Sequence, residues 1–362
     1  MSPTPGRGAR QARSSDSGPS QAAAPSQAAA PSPARSANED EPSNSMAPQA
    51  SVRDLGLTVL VAPKKPAADV VFIHGLQGHP KKTWTYEGDE PRRPAGDRSQ
   101  DKETQGCWPF NKEAQISLFW PQVLLPADRK DVRVMTYGYN SYITRRGGQN
   151  VNKMTLHDHG RGFLNTLTSE RIRSRCQDRP LIFVAHSLGG LIVKEALRLS
   201  WLAARHDNHR SVYTSTYATI FFGTPHRGSQ DAAWGDAIRA LLSWTMIDTS
   251  SSLLRELNPQ GGGSKLDELC DAFTEMLQDK DFNVVLKESA VLHLPPWEQV
   301  DYISANHLDM CRFKGRHDDG YQKFLAALNE TMKKVRARQR RGQGGMVAFA
   351  ILPALLSLIL RR

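Results

Sequence analysis

Residues 181–196 read Leu-Ile-Phe-Val-Ala-His-Ser-Leu-Gly-Gly-Leu-Ile-Val-Lys-Glu-Ala. A strand-like apolar run passes through small-x-Ser-x-small and straight into a helical pattern, the context of a nucleophile elbow. The reason is steric. A serine on so tight a turn needs small side chains two positions before and after it, and Ala185 and Gly189 supply them. The first is Ala where Gly is commoner, a departure such a turn tolerates. This turn aims Ser187 at the N-terminus of the following helix, where the Leu188 N–H and the helix dipole can hold an oxyanion. The chemistry would be attack of a serine hydroxyl on an acyl carbonyl.

That chemistry asks for partners. A second oxyanion donor fits the run Val70-Val-Phe-Ile-His74-Gly75-Leu76, a buried strand ending in His-Gly that frees the Leu76 N–H. When an elbow sits on an α/β sheet, the acid and then the histidine follow the serine in chain order. His307, in Ala305-Asn-His-Leu-Asp309, directly follows the last strand-like run and is the expected general base. The acid is expected to follow the penultimate strand; Asp281 and Glu288 both lie between Ser187 and His307 in chain order, and Asp281 is slightly favoured. His226 is placed in a loop packing near the site. His157 and His159 look like metal ligands, but i and i+2 on a helix diverge, and neither metal nor organic cofactor is called for.

Positioning these residues takes a sheet. Short β-branched and aromatic runs at 70–73, 132–136, 181–185, 218–222, 283–286 and 299–303 alternate with helix-length intervals. This predicts an α/β fold with a mostly parallel, doubly wound sheet covered by helices on both faces. Residues 85–107 read as a hydrophilic surface loop. The stretch 232–244, with Trp234, Ile238, Leu241, Leu242 and Trp244 at helical spacing, reads as a lid or as a core-facing helix.

Flanking this domain, 51–330, are two segments of other character. Residues 1–50, rich in Ser, Ala, Pro and Gln, predict a disordered arm rather than a transit peptide. Residues 331–362 form a basic linker followed by 346–360, fifteen uncharged residues flanked by arginines. These predict a C-terminal hydrophobic helix acting as a tail anchor, against a docked or disordered tail. The tail's unopposed Lys333, Lys334, Arg336, Arg338, Arg340, Arg341, Arg361 and Arg362 account for eight of the net +10 charges. The charge therefore belongs to the flank of an apolar segment, and nucleic acid is not an expected partner. Cys107, Cys176, Cys270 and Cys311 form no CxxC pair, and no secretory apolar core opens the chain, which predicts free thiols in an intracellular setting.

The runs FIHGLQGHPKKTW, WPQVLLPAD, VRVMTYGYN, DHGRGFLNTL, RPLIFVAHSLGGLIVKEAL, IFFGTPHRGS and ANHLDMCRF resemble the serine-esterase, lipase-like branch of the α/β-hydrolases over 65–325. That branch includes inositol deacylases of GPI anchors and the hydrolase domains preceding fungal nucleotide-binding, ankyrin and TPR modules. The resemblance implies Ser187 as nucleophile, His307 as base, and Leu76 and Leu188 as oxyanion donors. Two departures stand out: the family's further strand ending in an acid, of the form Phe-Tyr-Glu, has little room here, and the downstream domains are replaced by the basic, apolar tail. The expected activity is hydrolysis of an ester, with a lipid acyl ester as the expected substrate class, at the cytosolic face of the mitochondrial outer or endoplasmic-reticulum membrane. The alternative is an impaired hydrolase domain that binds a lipid or partner without turnover.

Overall fold

The computed structural model describes residues 51–89, 115–141, 154–224, 259–279, 283–287, 298–301, 303 and 305–359, all within the compact unit Pro48–Arg362. Seven strands form one sheet in the order β1 (Gly56–Val61), β5 (Val132–Gly138), β2 (Ala68–Ile73), β6 (Leu181–His186), β7 (Thr216–Phe222), β8 (Asn283–Lys287), β9 (Glu298–Asp301). Only the β1–β5 pair is antiparallel; the other five pairings are parallel. Strands β3 (Thr85–Asp89) and β4 (Gln115–Phe119) pair separately as an antiparallel ribbon. The sequence expectation of a loop from residue 85 thus needs correction, because its first five residues are a strand whose partner lies 26 residues further on.

The sheet forms where it does because side chains alternate between two cores. From β2, Val71 and Ile73 enter one core while Ala68, Val70 and Phe72 enter the other. The first core is covered by α2 (Leu156–Arg173), α3 (Leu188–Leu202), α4 (Arg210–Ser215) and α5 (Pro259–Asp279). The second is covered by α1 (Trp120–Asp128) and by Tyr321, Phe324, Leu328, Met332 and Val335 of α6 (Asp319–Ile359). Helices on both faces of a mostly parallel sheet are the predicted architecture.

At the amino ends of the strands, Asp69 is fully buried and binds three guanidiniums: Arg133 of β5 at 3.0 Å, Arg171 of α2 at 2.8 Å and Arg179 before β6 at 2.9 Å. One carboxylate thereby ties two strands and a helix together.

The predicted C-terminal hydrophobic helix takes a different form. Helix α6 is continuous from Asp319 to Ile359, and its first turns are core elements. Among the described residues, no helix is long and apolar enough to cross a membrane. A spanning anchor therefore finds no support in the fold.

Candidate active site

The carboxyl ends of β2, β6, β7 and β9 converge, as ligand sites do on open parallel sheets. Ser187 leaves β6 with φ +51° and ψ −124°, a conformation that a non-glycine residue adopts only under constraint. That constraint comes from both sides. Its N–H donates to the Phe222 carbonyl at 2.8 Å, and its own carbonyl accepts from the Gly190 N–H at 3.0 Å and the Thr224 hydroxyl at 3.1 Å. Of the small residues foreseen around Ser187, Gly189 is sterically required, and the neighbouring Gly190 is required as well. A Cβ on Gly189 would lie 2.4 Å from the His74 carbonyl oxygen and 2.6 Å from that of Ile73, and one on Gly190 would lie 2.2 Å from Thr224.

The His74-Gly75 loop packs against this elbow. A Cβ on Gly75 would come within 2.8 Å of Ser187 Cβ and 3.0 Å of His186 Nδ1. The loop turns at once: the Gly78 N–H donates to the Gly75 carbonyl at 3.1 Å, and Gln77 takes φ +53° inside that turn. Among the described residues, no acceptor engages the N–H of Leu76 or of Leu188. Leu188 is free because it opens α3, where first-turn donors have no helical partner. The two residues expected to donate to an oxyanion thus flank Ser187 on neighbouring strand ends.

His307 reaches the same place from beyond β9. Its ring packs on Gly223, the residue after the Phe222 that binds Ser187: a Cβ there would meet His307 Cε1 and Nδ1 at 2.9 Å. The loop is a tight turn held by Asn306, whose side-chain oxygen accepts from the N–H groups of Leu308 and Asp309. Behind it, the Trp120 indole donates to the Cys311 carbonyl at 2.8 Å and the Cys311 thiol to the Thr83 carbonyl at 3.2 Å. Burial lowers the His307 pKa below its ordinary value, which favours the neutral, basic form. Among the described residues no carboxylate is hydrogen-bonded to its ring. Asp281, Glu288, His226 and the 232–244 stretch lie outside the described residues.

Two further histidines organise the site, and sequence reasoning had not given them these tasks. His186 Nε2 donates to the His307 carbonyl at 2.8 Å, with the two rings 5.0 Å apart, so the residue before the nucleophile holds the loop carrying the base. His74 Nδ1 donates to the Gly75 carbonyl at 2.9 Å and His74 Nε2 accepts from the Tyr139 N–H at 3.3 Å. One donor and one acceptor define a neutral ring, and Tyr139 stacks on it at 4.3 Å while its hydroxyl donates to the His74 carbonyl. Burial pushes the pKa of His74 down to about 4 and that of His186 down to about 3. Both hold loops in place as neutral rings. By contrast, His157 contacts Glu195 and Arg161, while His159 turns into the core against Tyr139.

No family model matches the chain. Among curated proteins it is similar to Protein SERAC1 of human, 28% identical over 285 residues covering 74% of this chain and 39% of that protein. The zebrafish protein of the same name is 26% identical over 252 residues, 67% of this chain and 33% of its own length. The chain thus spans about two fifths or less of the length of these relatives. Among solved structures, a Bacillus licheniformis lipase in mature form matches with TM-score 0.34 and 15% identity over 64% of this chain and 70% of its own. A carboxylesterase of Nitrososphaera gargenis matches with TM-score 0.38 and 12% identity over 79% and 100%. Scores this low add nothing to a fold already defined by its own sheet. Sheet topology and the strained serine elbow fit an α/β-hydrolase fold, and in sequence the chain is similar to the curated relatives above.

Proposed function

We propose that the chain hydrolyses esters through a serine acyl-enzyme, with a lipid acyl ester as the substrate class. The observation that carries this reading is Ser187 at φ +51° on the β6–α3 turn, packed against a glycine loop and followed by a helix N-terminus. Ser187 Oγ attacks the acyl carbonyl and His307 takes its proton, then returns it to the leaving alcohol. The Leu76 and Leu188 N–H groups receive the oxyanion, each worth about 3 kcal/mol in such sites. Water then discharges the acyl group by the reverse path. Glu288, which directly follows the carboxyl end of β8, or Asp281, which precedes that strand, is the proposed partner of the His307 imidazole. The lipid preference rests on the resemblance of the sequence runs to lipase-like hydrolases and on the apolar run 346–360, which we propose attaches the domain to a mitochondrial outer or endoplasmic-reticulum membrane.

The experiment is labelling of the full-length chain with a fluorophosphonate, which tests for an activated serine without knowledge of the substrate. Labelling lost in both Ser187→Ala and His307→Ala supports the mechanism; a folded protein that does not label refutes it. Membrane attachment is tested separately with a fluorescent fusion, with and without 346–362. A diffuse signal from both overturns it.

A further inference from the structure

Seven residues beyond Ser187, helix α3 carries a lysine in an unusual setting. Lys194 is fully buried in the core between the sheet and α5. Its Nζ lies 5.2 Å from the Phe273 ring centre and 5.9 Å from that of Phe221. The polar atom it meets, among the described residues, is the Cys270 sulfur of α5 at 3.6 Å. A buried ammonium normally faces a carboxylate, because an apolar core penalises the charge heavily. Here the surroundings offer two aromatic faces and a thiol, and burial lowers the amine's pKa below its ordinary value. Burial favours the neutral, nucleophilic form of the amine, whose nitrogen stands 3.6 Å from the sulfur.

The other described thiols lack this arrangement. Cys311 donates to backbone carbonyls and burial pushes its pKa up to about 12. Cys176 sits between Asp69 and the guanidinium of Arg133, a nitrogen group that stays protonated and does not attack. Cys270, 6% exposed like Cys176, is the described thiol that faces an amine.

We infer that Lys194 and Cys270 form an oxidant-driven, thiol-reversible covalent link between α3 and α5. Hydrogen peroxide, the oxidant class required, converts the Cys270 thiol to a sulfenic acid and is reduced to water. The Lys194 amine attacks the sulfenic sulfur. The S–O bond breaks as the S–N bond forms, and the leaving hydroxide takes a proton from the nitrogen to become a second water. Sulfur loses two electrons overall, one peroxide is consumed, and the product is a sulfenamide. Two equivalents of an external thiol cleave it, restoring the amine and thiol and leaving their own disulfide. The link closes a 76-residue separation and fixes the helix that starts at the nucleophile to the helix that leads into β8. It is independent of any role for Ser187.

The test is peptide mapping of the full-length protein after peroxide treatment, with free thiols blocked before digestion. The expected product joins the Lys194 and Cys270 peptides at the sum of their masses less two hydrogens, about 2 Da, and dithiothreitol separates them. Cys270→Ser and Lys194→Met should each abolish it. Cys270 still fully blocked after peroxide, or carrying oxygens without a link, overturns the inference. So does a linked product that retains an oxygen, which would exclude a direct S–N bond. The wild-type map decides even if a variant fails to fold. A rise in melting temperature on oxidation, absent from both variants, is the second expected result.

Discussion

Replacing Gly189 by alanine separates catalysis from folding at a single methyl group. The added Cβ falls 2.4 Å and 2.6 Å from the carbonyl oxygens of His74 and Ile73. An ordinary contact at that position is about 3.4 Å, so the first turn of α3 and the end of β2 must move apart by about 1 Å. No side-chain rotation relieves the clash, because both obstacles are backbone. Overpacking of this kind costs about 1–3 kcal/mol of stability, which a domain of this size can survive. Its effect on chemistry should be larger in proportion. The same 1 Å separates the N–H groups of Leu76 and Leu188, and displacements of that size cost about 100-fold in rate. The assay is the fluorophosphonate labelling rate of Ser187, read beside the melting temperature. Gly162→Ala is the control: its Cβ meets only the Tyr137 hydroxyl at 3.8 Å, and it lies in α2, where alanine is favoured by up to about 1 kcal/mol. Gly162→Ala should label normally and melt slightly higher. A folded Gly189→Ala protein labelling within about threefold of wild type would refute the idea that this contact sets the oxyanion geometry.

The pH dependence follows from the buried rings. His307 must be neutral to act as base and burial lowers its pKa, so labelling should be lost as pH falls through a midpoint below 6.5; a midpoint above 6.5 in the pH–rate profile would contradict this. Stability should also fall with acid. His74 and His186 protonate near 6.5 when unfolded but only at about 4 and about 3 when folded, so the unfolded chain binds more protons between those values. Below pH 6.5 the melting temperature should drop, His74 alone costing roughly 3 kcal/mol by pH 4, and a flat curve over that range would exclude the neutral assignment. His186→Phe removes the hydrogen bond to the His307 carbonyl and should slow labelling about tenfold with little change in melting temperature, whereas an unaltered rate would show that the His307 loop holds itself. Asp69→Asn leaves three arginines facing a neutral amide and should destabilise by about 3–5 kcal/mol in urea unfolding, while the folded fraction labels at the wild-type rate; slower labelling would show that the two ends of the sheet are coupled.

The sequence made the central sheet readable because its strands are buried on both sides and read as unbroken apolar runs. All six expected runs coincide with β2, β5, β6, β7, β8 and β9, with β9 ending at Asp301 rather than 303. Strand β1 was not foreseen, being an edge strand of mixed exposure. Strand β3 was not foreseen either, since Thr-Tyr-Glu-Gly-Asp has no apolar face to announce it. At the site, Ser187 and its small neighbours were legible because steric demand acts within five residues. The tasks of His186, His74 and Tyr139 were not, because they depend on contacts 121 and 65 residues apart that no local pattern encodes.

The Asp69 cluster has a consequence for how such a chain can change. Its three arginines are bound at the amino ends of the strands, whereas Leu76, Ser187, Leu188 and His307 follow the carboxyl ends of β2, β6 and β9. A sheet pinned at one edge by charge can accept insertions, deletions and new loops at the other without renegotiating its foundations. Substrate preference can then drift while the scaffold stays recognisable, and divergence among relatives should concentrate in the segments that follow β2, β7 and β8.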